Sequence, residues 1–192
     1  MDESVVRAMA KWPNVPCVYG WLSLDRRGRW RLRGEAITHP GAVAFIARNY
    51  GRDEDGRWYF QNGPQQVFVV LEYTPWVLRS EPDGGLSTHT GLRVGSLRGA
   101  WIDEDGALIL RTEHGPALVC DRDLVDLLER FRARDGRHLS EMELGEALQK
   151  FGPEDSRQLG FVWDSEIVPI EPIRKEDVPA RFSYVAEPRP NP

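Results

Sequence analysis

The chain has 192 residues, 41% hydrophobic and 29% charged, with a formal net charge of −5. That make-up suits one large globular domain or two small subdomains sharing a core, and the acidic balance does not favour nucleic acid or an anionic membrane. No apolar run approaches the roughly 20 residues of a membrane helix.

The N-terminus lacks a basic region followed by an apolar stretch, so no signal peptide is expected. Cys17 and Cys120 share no metal or redox spacing. A reducing, cytoplasmic setting is therefore the default, with no cofactor expected and no DNA or membrane partner. A homo-oligomer is compatible with this composition. Arg outnumbers Lys by 22 to 3. Composition bias is the bland explanation, and anion recognition by planar guanidinium groups the sharper one.

In chain order, residues 1–14 are expected to be a flexible N-terminus holding at most a short helix, Ser4 to Lys11, ended by Pro13. Val18–Leu24 reads as a strand. Asp25–Gly28 is a turn, and Arg29–Arg33 alternates as a half-buried strand does. A helix over about Pro40–Tyr50 is predicted from Pro at its first position, a Thr38 or His39 cap, and an apolar stripe.

Asp53–Gly56 is a second acidic turn. Arg57–Gln61 reads as a strand, and Asn62–Gly63 is a strong hairpin signal. Val67–Leu71 is apolar on both faces, as a covered central strand is. Pro75 ends or bulges that strand, and Trp76–Leu78 resumes it. Ser80–Gly95, rich in Gly, Ser and Thr, reads as a long surface loop or a loosely held edge.

Gly99–Arg111 reads as a hairpin about the turn Asp103–Gly106, with a further strand at Ala117–Cys120. An amphipathic helix is expected over about Arg122–Arg134. A third helix opens with the capping box Ser140-Glu141-Met142-Glu143 and ends near Phe151-Gly152-Pro153. Leu159–Trp163 and Glu166–Ile170 read as strands, and 187–192 as a disordered tail.

Three segments repeat Asp, two residues, Gly and alternating apolar positions, beginning at Asp25, Asp53 and Asp103. Asn62-Gly63-Pro64 and His114-Gly115-Pro116 also look alike. Chance recurrence of hairpin turns is one reading. The other is a duplicated strand-and-helix unit, with halves at 15–95 and 96–186. The fold class expected is α+β: antiparallel sheets with about three helices in two similar halves.

The run Asp25-Arg26-Arg27-Gly28-Arg29-Trp30 to Ile37, then Asp55-Gly56-Arg57-Trp58-Tyr59, Val70-Leu71-Glu72-Tyr73-Thr74-Pro75-Trp76 and Asp177–Val185, resembles proteobacterial domain-of-unknown-function proteins. The resemblance implies an α+β fold with repeated motifs and no established activity. It supplies no catalytic residue.

Candidate chemistry is sparse. An EF-hand loop centred on Gly56 would need an oxygen ligand at Gly51 and Glu at Asn62, so the acidic turns are not calcium loops. His39, His89, His114 and His138 form no pair at metal-ligand spacing, so no metal is expected. No Gly-x-Ser-x-Gly elbow is present. Arg27, Arg29, Arg31 and Arg33 share one strand face. They form either an anion-binding ladder for phosphate, carboxylate or RNA, or a wet sheet face neutralised by acidic neighbours. Trp58, Tyr59, Glu72, Trp76, Trp101 and His89 are pocket candidates, though most Trp must be core.

Strong structural motifs without a catalytic constellation point to a non-catalytic ligand- or protein-binding regulatory module. The alternatives are a small hydrolase using loop His89 with acidic residues such as Glu72, and a structural protein acting through oligomer contacts.

Overall fold

The computed structural model describes residues 1–149 and 159–190. Fourteen strands among them form two sheets. The first sheet comprises β1 (Val18–Leu24), β2 (Trp30–Leu32), β3 (Glu35–Ala36), β4 (Tyr50–Arg52), β5 (Trp58–Asn62) and β6 (Gln65–Leu71), in the order β3-β2-β1-β6-β5-β4. The second comprises β7 (Trp76–Ser80), β8 (Leu86–Thr88), β9 (Leu97–Ile102), β10 (Leu108–Thr112), β11 (Gly115–Val119), β12 (Phe131–Ala133), β13 (Leu159–Trp163) and β14 (Glu166–Pro172), in the order β12-β13-β14-β9-β10-β11-β7-β8. The helices are α1 (Glu3–Lys11), α2 (Pro40–Arg48), α3 (Glu141–Gln149) and α4 (Val178–Arg181), with 3-10 turns at Val125–Arg130 and Lys175–Asp177.

Both sheets are mixed, which corrects the antiparallel expectation. β1 runs parallel to β6, β7 to β11, and β9 to β14. Alternation and turn chemistry specify hairpins between sequence neighbours. They carry no signal for a strand that returns beside one roughly 40 residues earlier. The order β2-β1-β6-β5-β4 is matched strand for strand by β8-β7-β11-β10-β9. Residues 33–49, with β3 and α2, fill the connection in the first path. Residues 89–96 fill it in the second.

Six turns share one build: the first residue's N–H meets the fifth residue's carbonyl, the fourth residue's N–H meets the first carbonyl, and a glycine at the fourth position has positive φ. They begin at Asp25, Asp53, Glu81, Thr88, Asp103 and Ala133. This is the type I turn with a following left-handed residue that closes short hairpins. Three of the six were legible because Asp adds a second layer: its carboxylate accepts from amides of the same turn, as Asp25 does from Arg27 N and Arg29 N, both at 2.9 Å.

α2 is capped as its sequence dictates: His39 Nδ1 accepts from Ala42 N at 3.3 Å, and Pro40 follows. The α3 capping box forms, with Ser140 N donating to Glu143 Oε2 at 2.8 Å and Glu143 N to Ser140 Oγ at 3.3 Å. The expected end of α3 near Phe151 lies outside the described residues.

Three local readings are corrected. The stretch Arg122–Arg134 is a 3-10 turn over Val125–Arg130 followed by β12, because Phe131 leaves the helix to pair with Phe161. Of the two readings of Ser80–Gly95 the surface loop is the one corrected: β8 is an edge strand of the second sheet, with Leu86, Ser87 and Thr88 buried. Trp76–Leu78 does not resume β6. It starts β7 in the other sheet, so residues 72–75 are the crossing. At the N-terminus Val5 is buried, the Asp2 N–H bonds Asn49 Oδ1 at 2.8 Å, and the Asp2 carboxylate pairs with Arg48.

The core spans both sheets. Leu108, Ile109 and Leu110 on β10 are all buried, as a strand covered on both faces must be. β6 lies between β1 and β5, with Phe68, Val69 and Leu71 buried. The crossing is fixed too. Thr74 Oγ1 donates to Trp76 O at 2.7 Å and accepts from Leu118 N at 2.9 Å. Beyond α4, Val185 pairs with Arg57, Leu71 N donates to Ala186 O at 2.8 Å, and Phe182 packs edge-on against Trp101. The C-terminal segment thereby touches both sheets.

Candidate functional site

The end of β1, the crossing and the second sheet meet at a cleft of about 450 Å³. The Asp25–Gly28 turn places Arg26 and Arg27 there, Arg29 follows the turn, and β2 adds Arg31. Glu72 comes from the crossing, Asp105 to Leu108 from the Asp103 turn, and Leu118, Val119, Asp121 and Leu124 from β11 and beyond. The volume falls in the range of small-molecule sites.

Most charges in the cleft are paired. Asp25, 5% exposed, accepts from Arg29 Nε at 2.8 Å and Arg31 Nε at 3.2 Å besides its two amides. Burial alone would raise its pKa, but these donors outweigh burial and hold it below the ordinary carboxylate range. Arg27 makes a two-pronged pair with Asp121, Nε to Oδ1 at 3.2 Å and Nη2 to Oδ2 at 2.8 Å. The shared hydrogen bonds lower the Asp121 pKa and raise that of Arg27. Asp105 pairs with Lys175 Nζ at 3.1 Å.

Arg26 differs. Its guanidinium lies 4.3 Å over the Tyr73 ring, and its Nη1, out of contact with solvent, has no acceptor among the described residues. Its backbone N donates to Glu72 Oε2 at 3.2 Å. Tyr73 is held in turn: its hydroxyl donates to Asp103 Oδ2 at 2.6 Å, and its carbonyl accepts from Tyr184 Oη at 2.8 Å. Burial, then the Asp103 bond, holds the Tyr73 phenol far above its usual range, so it remains a donor.

Three of the four expected arginines, Arg27, Arg29 and Arg31, therefore line the cleft, and Arg33 does not. Arg33 adopts a left-handed conformation at φ 49° and lies 3.9 Å over the Trp21 ring. Of the pocket candidates only Glu72 is at the cleft. Trp58 and Trp76 are buried in an aromatic cluster with Trp30, Tyr50 and His89. Tyr59 packs edge-on against Phe68, and Trp101 is buried with Nε1 bonded to Glu171.

His89 Nδ1 accepts from Val77 N at 3.3 Å, and burial lowers its pKa to about 3. Trp30 Nε1, Trp58 Nε1 and His89 Nε2 have no oxygen acceptor among the described residues. Their rings pack against one another, with centroids 5.1 Å apart for Trp30 and His89 and 5.2 Å for Trp58 and Trp76. The structure does not bring His89 together with Glu72 at the cleft. Arg26 escaped the sequence reading because it breaks the alternation of the other arginines. Its only signal was its place inside the Asp25 turn.

A second groove of about 830 Å³ lies between the Val125–Arg130 turn, β12 and α3, with Leu128, Phe131, Leu139 and Leu144 in its walls. It is larger, and Arg132 and His138 stand in its lining beside Glu129 and Glu141. Among the described residues no helix is long and apolar enough to cross a membrane, and no group of three or more metal-ligating side chains occurs.

The family described as "Protein of unknown function (DUF2946)" matches residues 1–189. No curated protein matches. A DUF1285 family protein from Silicibacter pomeroyi DSS-3 is similar in structure, with a TM-score of 0.53 and 16% identity over 82% of this chain and 84% of that one. At that identity the likeness shows the fold alone. A DUF1285 family protein from Shewanella baltica OS155 has a TM-score of 0.39 and 18% identity over 55% of this chain and 91% of that one.

Proposed function

The chain belongs to this family of proteins of unknown function, and from that premise we propose that it is a non-catalytic ligand-binding module whose inter-sheet cleft takes a small anionic ligand. Arg26 carries this reading. Its guanidinium lines the cleft half-buried and has no carboxylate partner among the described residues, so a carboxylate or phosphate oxygen there would gain a charge-assisted hydrogen bond. The Tyr73 ring, 4.3 Å from the Arg26 Cζ, restrains the guanidinium at the cleft. Arg27, Arg29 and Arg31 are already engaged by Asp121 and Asp25, so they frame the cleft and Arg26 supplies the contact.

We also propose that the matched strand paths, residues 18–71 and 76–119, are a duplicated unit. The cleft would then lie where the two copies meet.

A ligand at roughly 100 times its Kd stabilises by about 2.7 kcal/mol. For a chain of this size that is a rise in Tm of about 5–10 °C. Thermal denaturation with phosphate, pyrophosphate and 4-methylpentanoate, each tested singly, should show such a rise for at least one anion. Arg26→Gln should abolish it. Absence of any shift, or an equal shift in Arg26→Gln, would refute the assignment.

A further inference from the structure

Resting on the reading of the cleft as an anion site, we propose that its ligand is a small zwitterion: an α-amino acid with an apolar side chain. The cleft carries four arginines, at 26, 27, 29 and 31, and four acidic residues, at 25, 72, 105 and 121. Three of the arginines and three of the acids are spoken for, through Arg29 and Arg31 to Asp25, Arg27 to Asp121, and Lys175 to Asp105. One cation and one anion remain without an ion partner among the described residues: the Arg26 guanidinium and the Glu72 carboxylate.

These two do not neutralise each other. Glu72 Oε2 accepts from the backbone N of Arg26, while the guanidinium turns over Tyr73. A cleft lined by one cation and one anion without ion partners complements a ligand carrying both charges a few bonds apart. The α-carboxylate lies at Arg26 and the α-ammonium at Glu72.

The rest of the lining sets the third group. Leu108, Leu118 and Val119, each under 5% exposed, form an apolar wall, extended by Ala107 and Leu124. That wall suits an aliphatic or aromatic side chain and offers no partner to a polar one. A dianion such as pyrophosphate would meet Glu72 and be repelled. A simple amine would leave Arg26 without its acceptor.

The test is calorimetric titration of the full chain with L-leucine, L-methionine and L-phenylalanine, and with the two halves of leucine, 4-methylpentanoate and 3-methylbutylamine. At least one amino acid should bind. Because Glu72 is exposed, its ammonium contact is worth no more than a surface ion pair, so that amino acid should bind about fivefold tighter than 4-methylpentanoate. The amine should not bind measurably. Glu72→Gln, a surface change checked for an unaltered Tm, should erase the preference for amino acid over acid.

Equal affinity for L-leucine and 4-methylpentanoate would overturn the zwitterion while leaving the anion site standing. So would a preference unchanged by Glu72→Gln. Binding of 3-methylbutylamine as tight as that of leucine would also overturn it. Silence from every amino acid, 4-methylpentanoate, phosphate and pyrophosphate would overturn both readings.

Discussion

Gly28→Ala is expected to destabilise the protein by about 2–5 kcal/mol, and Gly106→Ala by only about 1–2 kcal/mol. The two glycines occupy the same position of the same kind of turn, at φ 73° and 79°. An added Cβ therefore meets similar backbone strain at both. Their surroundings differ. A Cβ at Gly28 would lie 2.6 Å from His89 Cβ, whereas nothing stands within 4 Å of one at Gly106. The difference between the variants isolates how closely the first sheet's turn is docked on the second sheet. Gly56→Ala should resemble Gly28→Ala, since its Cβ would meet the Ser183 carbonyl at 2.6 Å. Urea unfolding of the three variants decides it. Equal losses at Gly28 and Gly106 would mean that turn strain, and not docking, sets the scale.

Asp103→Ala should cost about 3–5 kcal/mol. Asp103 is 0% exposed and accepts from Tyr73 Oη at 2.6 Å, Ala107 N at 2.8 Å and Asp105 N at 3.0 Å. Removing the carboxylate strands the Tyr73 hydroxyl in the core and leaves the two turn amides, beside the cleft, without their acceptor. Tyr73→Phe removes one donor and leaves Asp103 its two amides, so it should cost about 1–2 kcal/mol. The double variant should be less destabilised than the sum of the two, because the second change removes a donor already stranded by the first. Additive losses in denaturant melts would show that the two groups do not act together. Asp53, in the equivalent turn but 19% exposed at its side chain, should tolerate Ala better.

The contrast between turns also marks what the sequence could reveal. Turn chemistry is local, so Asp25, Asp53 and Asp103 were readable, as were the caps of α2 and α3 at His39 and Ser140. The turns at Glu81, Thr88 and Ala133 have the same geometry without the aspartate signature, and they were missed or blurred into a loop. Parallel pairing of β1 with β6 and β7 with β11 joins segments far apart in the chain, for which periodicity holds no information.

The apolar spacing at Leu124, Leu127, Leu128 and Phe131 fits a helix, yet β12 claims Phe131 for the sheet. Tertiary pairing overrides a local preference worth only tenths of a kcal/mol per residue.

At the cleft, alternation grouped Arg27, Arg29 and Arg31 with Arg33, and the first three line the cleft. Arg33 has a positive φ and its side chain lies over Trp21. Alternation also treated the face as a ladder of equals. Which arginines are satisfied depends on Asp25 and Asp121, and Asp121 lies 94 residues from Arg27. Arg26 emerges only when those partners are in place.

The most direct test of the cleft as a ligand site is where a ligand perturbs the protein. Nitrogen–proton correlation spectra of backbone amides and arginine side chains, recorded while L-leucine or 4-methylpentanoate is added, should show the Arg26 side-chain signals moving together with the amides of Gly106, Ala107 and Val119. The Arg33 side chain and the walls of the groove beside α3 should stay still. Shifts centred on Leu128 and Leu144, or ligand-dependent shifts that leave Arg26 unmoved, would contradict the account.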